Sequence, residues 1–357
     1  MSTIPAPAVQ MLTVGQEWEG QRLDNFLLRE LRGAPKTLVY RIIRSGEVRV
    51  NKGRAKAETK LQAGDVLRIP PLRLSEKPAV GTIKTEANQA YLTRKIPIIH
   101  EENGFLAIDK PAGLAVHGGS GISLGLIESL RTARPDAPYL ELVHRLDRET
   151  SGIILVAKKR SALVALQEQF KNRSTGKTYL ALVAGTWPAK RKVLDQALRK
   201  YQVATGSSAE ERRVEVVAAD HPDAMRALSL VQVLGHFQLA MPEGDAIPVS
   251  LLAVTIKTGR THQIRVHLAH QGQAILGDDK YGDFSLNKRL AKGGASAILP
   301  RMFLHAWQLR IAALPGQGKN EDANESGQYF HSPLPPELAA LLPADLQTQL
   351  KNAAQKS

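Results

Sequence analysis

The chain has 357 residues, enough for two domains, and 43% of them are apolar. It contains no cysteine, which excludes disulfides, zinc-thiolate sites and a Cys nucleophile. Its 48 Lys and Arg against 34 Asp and Glu give a net charge of +14, pointing to a polyanionic partner, and no apolar run approaches the ~18 residues needed to span a bilayer.

Residues 1–17 have no basic stretch followed by an apolar one, so no signal peptide is expected and they read as a flexible leader. From Gln21, the spacing of Leu23, Phe26, Leu27 and Leu31 predicts a helix stopped by Gly33. Pro35 opens a second, with Leu38, Val39, Ile42 and Ile43 inward and Lys36, Arg41 and Arg44 on the other side. Short strands follow at Val48–Asn51, carrying Arg49, and at Asp65–Ile69, with a turn at Lys52-Gly53. Residues 21–70 hold 12 Lys or Arg and 5 Asp or Glu, so about half of the excess charge lies in one small module, residues 18–72. Residues 73–95 are polar, rich in Pro and Lys and without apolar period, and read as a linker.

A second module, 96–345, alternates strand-like runs (104–109, 152–157, 179–183, 229–233, 250–256) with helical ones (123–131, 161–172, 262–271), implying an α+β architecture. Residues 315–328 are too polar to form a core, and 346–357 read as a tail. His262, His267 and His270 lack the H-E-x-x-H pattern and an accompanying carboxylate, so no metal is expected.

The most informative segment is His144-Arg145-Leu146-Asp147-Arg148-Glu149-Thr150-Ser151-Gly152, a lone carboxylate between two arginines on a loop entering a buried strand. It resembles the signature of the RluA-type pseudouridine synthases, as do Gly259-Arg260-Thr261-His262-Gln263-Ile264-Arg265-Val266-His267 and Lys177-Thr178-Tyr179-Leu180-Ala181-Leu182-Val183. Lys110 to Gly119 and Gly277-Asp278-Asp279-Lys280-Tyr281-Gly282-Asp283 also match, with wording closest to the branch that acts on large-subunit (23S) ribosomal RNA. The N-terminal module resembles the S4 RNA-binding domain. Residues 236–249 look like an insertion, and nothing beyond about 315 aligns.

The resemblance implies a catalytic domain with a mixed, mainly antiparallel sheet crossed by an RNA cleft, joined to the S4-like domain. It implies isomerisation of uridine to pseudouridine with Asp147 as nucleophile or base, Arg265 as its ion-pair partner and Tyr179 packed on the flipped base. Arg145 is expected to fill the gap the base leaves. Arg148, His144, His117, Arg260 and His262 are further candidate RNA contacts, together with Lys36, Arg41, Arg44, Arg49 and Lys52. The reaction neither adds nor removes a group and involves no redox change, so no cofactor is expected. A cytoplasmic monomer acting on ribosomal RNA, without membrane contact, is the consistent expectation. Two other readings remain open from sequence alone: a catalytically silent RNA-binding or assembly factor, and a related enzyme acting on tRNA or releasing free uracil.

Overall fold

The computed structural model describes residues 8–31, 34–72, 96–118, 125–204, 210–241, 244–292, 297–314 and 327–355. The expected linker 73–95 and nearly all of the polar stretch 315–328 lie outside the described residues. In the N-terminal module, helices Leu23–Glu30 and Lys36–Arg44 form as their apolar spacing predicts, burying Leu23, Phe26, Leu27, Val39, Ile42 and Ile43. They accompany a four-stranded sheet in which Val66–Ile69 lies between Gln10–Thr13 and Arg49–Val50. Gln10 pairs with Ile69 and Thr13 with Val66, so part of the expected flexible leader is an edge strand. The strand is short and its side chains are mostly exposed, leaving little alternating signal to read.

Trp18 joins this module to the second. Its ring centroid is 4.6 Å from that of Tyr139 and 6.0 Å from that of Phe26, while the Arg29 guanidinium covers it at 3.1 Å. The tryptophan is 5% exposed, so the two modules share one apolar cluster.

The second module is built on a ten-stranded mixed sheet. Strand Leu304–Ile311 lies at its centre, antiparallel to Gly176–Ala184 and parallel to Ser151–Ala157. The sheet continues on one side through Ala246–Ile256 and Ser229–Ala240, and on the other through Phe105–Lys110 and Ile98–Glu101. One parallel pairing among antiparallel ones is the mixed architecture expected. A separate hairpin, Ala197–Ala204 with Glu210–Val217, packs through Leu198 and Val214 against Val266 of helix Gln263–His270.

Two glycines are dictated by close approach. Gly152 has φ 108°, and a Cβ there would stand 2.2 Å from the Ala306 carbonyl oxygen. Gly277 has φ 77°, with the Arg301 carbonyl 2.3 Å from the same imagined carbon. One follows the Asp147 loop into its strand, and the other immediately precedes Asp278.

The expected tail is a helix, Ala344–Gln355, with Leu346 and Leu350 buried in the main core. Within the 236–249 segment, residues 236–240 pair with 246–250 at the far end of the hairpin Ser229–Ala240/Ala246–Ile256, which has a register shift between Val233 and Gly235. Leu346 lies over Gly235, where a Cβ would meet its methyl at 2.8 Å. Leu346→Ala should therefore cost about 2–5 kcal/mol of unfolding free energy in a denaturant titration. Gly235→Ala should also destabilise the protein, and less so when combined with Leu346→Ala, because the second change clears the space the new methyl needs.

Candidate active site

Asp147 lies on the loop between strands Glu141–Leu142 and Ser151–Ala157, which is closed by the Thr150 N–H donating to the Asp147 carbonyl at 3.2 Å. The loop is braced from beneath by Lys110, whose side chain is fully buried. Its Nζ donates to the carbonyls of Pro111 (2.9 Å), Leu114 (2.9 Å) and Arg148 (3.1 Å). Burial pulls the Lys110 pKa down to about 7, opposed by Glu149 and Asp147. The three carbonyls oppose it as well, since an ammonium has one proton for each of them.

Arg265, 1% exposed, holds the opposite side. Its Nε and Nη2 donate to the two oxygens of Asp278 at 2.7 and 2.6 Å, and Nη2 also donates to Asp279 at 2.9 Å. Nη1 stands 3.8 Å from Oδ2 of Asp147 and has no hydrogen-bond partner among the described residues. Burial disfavours the guanidinium charge, and the bonds to Asp278 more than offset it, so the pKa is held above the ordinary arginine value. Asp278 is fully buried and also accepts from the Lys280 and Tyr281 amides, so its pKa stays below the usual range against the pull of burial.

The ion pair between Arg265 and Asp147 that the resemblance implied is present at 3.8 Å, but as a single longer contact, because the bidentate grip of the guanidinium falls on Asp278. Asp147 keeps 18% of its side chain exposed. Pairing with Asp278 was hidden because nothing in G-D-D-K-Y-G-D marks which acid turns inward.

A pocket of about 380 Å³ opens over Asp147. His144, Arg145, Tyr179, Arg260, His262 and Arg265, all named from the sequence, line it. Tyr179 is 9% exposed, and burial followed by the Asp147 charge pushes its phenol well above the usual value. Arg145 is exposed at the rim. His144 is committed to the protein itself: its Nε2 accepts from the Leu155 N–H at 3.2 Å and its ring stacks on Phe170 at 4.6 Å. Burial drops its pKa to about 3, so it is neutral at physiological pH and cannot attract phosphate by charge. Arg148 is turned to Glu149 at 2.7 Å and does not line the pocket, and His117 is exposed outside it.

Phe170, Lys171 and Lys177 also line the pocket, and the motifs alone did not place them there. Lys177 was legible, since it lies two residues from Tyr179 on a strand and so faces the same side. Lys36, Arg41, Arg44 and Lys52 are exposed on the N-terminal module, and Arg49 is half-buried. His267 is structural, bonded to Ser229 Oγ and the Gln196 carbonyl at 3.0 Å each.

Residues 104–270 match the RNA pseudouridylate synthase family, and residues 21–67 match the S4 domain. The chain is 45% identical to ribosomal large subunit pseudouridine synthase C of Pasteurella multocida (strain Pm70) over 337 residues, 94% of each protein. The chain belongs to the RNA pseudouridylate synthase family. The enzyme of the same name from Escherichia coli (strain K12) is 43% identical over 317 residues, 88% of this synthase and 91% of that one. Among solved structures, human RNA pseudouridylate synthase domain containing 1 aligns at 27% identity and a TM-score of 0.53, covering 74% of this chain and 96% of its own. Domain containing 4 aligns at 25% and 0.54, covering 74% and 97%. The protein is thus an RNA pseudouridine synthase, an isomerase of uridine in RNA.

Arg265→Ala would leave Asp278 buried without its counter-charge, at a cost of about 3–5 kcal/mol that thermal unfolding should register. Asp278→Asn/Arg265→Met together should recover part of that loss while staying inactive. Lys110→Met should lower both melting temperature and turnover, although Lys110 does not line the pocket, because three carbonyls lose their donor and the Asp147 loop loses its brace.

Proposed function

We propose that this synthase isomerises particular uridines of large-subunit ribosomal RNA, with Asp147 as the catalytic carboxylate. The observation that carries this reading is the environment of Asp147, which faces a pocket beside Tyr179 and within Coulomb reach of Arg265. The reaction breaks the N1–C1′ bond, turns the base and joins C5 to C1′. Positive character develops at C1′ as the base leaves, and a carboxylate there can attack C1′ or remove a sugar proton. The base is detached from C1′ but not released, and the proton that C5 loses on joining C1′ is balanced by the one that N1 gains, so no group enters or leaves. Tyr179 forms a flat apolar wall for the turned base, and its raised pKa keeps the hydroxyl protonated as a donor.

A paired or stacked uridine must leave its stack to reach the pocket, at a cost of a few kcal/mol. Arg145, exposed at the rim, suits the vacated position because a planar guanidinium stacks on bases and still reaches phosphate. Arg260, Lys171 and Lys177 add positive charge around the opening. The exposed Lys36, Arg41 and Arg44 offer a second phosphate-facing surface on the S4 domain. The names of the similar enzymes favour the large ribosomal subunit as substrate.

Asp147→Asn keeps the shape and removes the charge, so it should abolish pseudouridine formation while leaving RNA affinity within a few-fold. Mapping pseudouridines in cells lacking the gene should show sites missing from large-subunit RNA; sites missing only from tRNA, or release of free uracil in vitro, would replace the proposal. Exchanging Lys36, Arg41 and Arg44 for Gln should flatten the plot of log affinity against log salt by roughly 0.7–0.9 for each phosphate that is no longer neutralised. The same triple variant should keep its rate on a short flexible RNA.

A further inference from the structure

His262 and Tyr281 lie in two of the motifs noted in the sequence, and the reaction as described uses neither for chemistry. His262 holds a left-handed backbone conformation, φ 52° and ψ 20°, at the N-terminus of helix Gln263–His270. A non-glycine residue kept in that region is a strain that tends to persist where a site requires it. The result is that its side chain, 12% exposed, points Nε2 at Oδ2 of Asp147, 3.8 Å away. Its other nitrogen, Nδ1, is 2.8 Å from the Tyr281 hydroxyl.

The bonds around that hydroxyl select one tautomer. The Val214 amide donates to the Tyr281 oxygen at 3.0 Å, so the hydroxyl's single proton is directed elsewhere. Nδ1 of His262 is the acceptor within reach. A neutral imidazole that accepts at Nδ1 carries its proton on Nε2, the nitrogen facing the carboxylate. The opposite tautomer would strand the tyrosine proton and turn a bare lone pair toward a negative charge. Tyr281 also presents its ring to Arg265, whose Cζ is 5.3 Å from the ring centroid.

Arg265 Nη1 and His262 Nε2 approach the same oxygen of Asp147, each at 3.8 Å. Donors gathered on Oδ2 leave Oδ1 open to the sugar. We propose that Tyr281 is a positioning residue that fixes His262 as its Nε2–H tautomer, and that His262 then orients Asp147 through Oδ2 so that Oδ1 meets C1′ or its neighbouring proton. This rests on the reading of Asp147 as the reacting carboxylate. Burial keeps the His262 ring neutral, Asp147 and Asp278 favour its charged form, and Arg265 and Lys280 oppose it. The Tyr281 bond to Nδ1 adds to the neutral side, because it exists only while Nδ1 is unprotonated.

The test pairs nitrogen-15 NMR of labelled histidine with single-turnover rates on a ribosomal RNA fragment. The intact enzyme should show His262 as the Nε2–H tautomer, and so should Asp147→Asn, since Tyr281 sets it. Tyr281→Phe should give a tautomer mixture and a chemical step slowed about tenfold, with RNA affinity little changed. His262→Asn accepts the left-handed backbone but has no donor at the Nε2 position, and should be slow. His262→Gln restores that donor and should recover part of the rate. An Nδ1–H tautomer in the intact enzyme, or Tyr281→Phe with unchanged tautomer and rate, would overturn the proposal. An active Asp147→Asn with the tautomer as expected would instead overturn the role of Asp147.

Discussion

A guanidinium at 1% exposure cannot stand inside a protein without counter-charge, and the way Arg265 is neutralised decides how Asp147 behaves. Had Arg265 taken Asp147 bidentately, both carboxylate oxygens would carry a charge-assisted donor and each would be a weaker nucleophile or base toward the sugar. Asp278 takes that place instead, held at 2.6 and 2.7 Å by Arg265 and by two backbone amides, and is fixed by the chain reversal at Gly277. Asp147 is left with attraction at 3.8 Å, worth about 4 kcal/mol at an effective dielectric of about 20 before desolvation is counted. That is enough to hold the carboxylate toward the guanidinium without tying up its oxygens. The remaining architecture serves this division: Lys110 fixes the loop that carries Asp147, and Gly152 allows that loop to enter the central strands.

Local pattern carried much of this into the sequence. The two N-terminal helices have clear apolar periods and the central strands nearly continuous apolar runs, and each forms close to where that pattern places it. The strand Gln10–Thr13 escaped because an exposed edge strand has no buried face to alternate against. The C-terminal helix escaped because its apolar residues are few and only tertiary contact with Gly235 and the main core gives them meaning. At the site, Asp147, Tyr179 and Arg265 could be named from motif wording, and the structure brings all three to one pocket. Which of Asp278 and Asp279 is buried, and that His144 supports the protein's own backbone, depend on directions no linear pattern records. The exposure of Arg148 and His117 has the same origin, since residues adjacent in a loop face different ways.

The sequence also leaves open how the two modules sit together, because the linker composition suggests only a loose joint. Trp18 changes that expectation. It is held between Arg29 on its own module and Tyr139 on the other, and aromatic surface buried on both sides resists separation. Arg29 keeps a bond to Glu30 at 2.9 Å while its guanidinium lies over the indole, so one side chain serves both packing and charge.

A docked S4 domain matters for specificity under the proposed function. Phosphate contacts carry no base identity, but they fix where an RNA lies relative to the surface that holds it. If the basic helix Lys36–Arg44 were free to wander, its contacts would raise affinity for any RNA and leave the choice of uridine to the pocket alone. Held by Trp18 against the catalytic domain, the same contacts define a distance from bound backbone to Asp147. The uridine selected is then the one that this distance and the local fold of the RNA bring to the pocket, so a surface that reads only phosphates can still contribute to site choice.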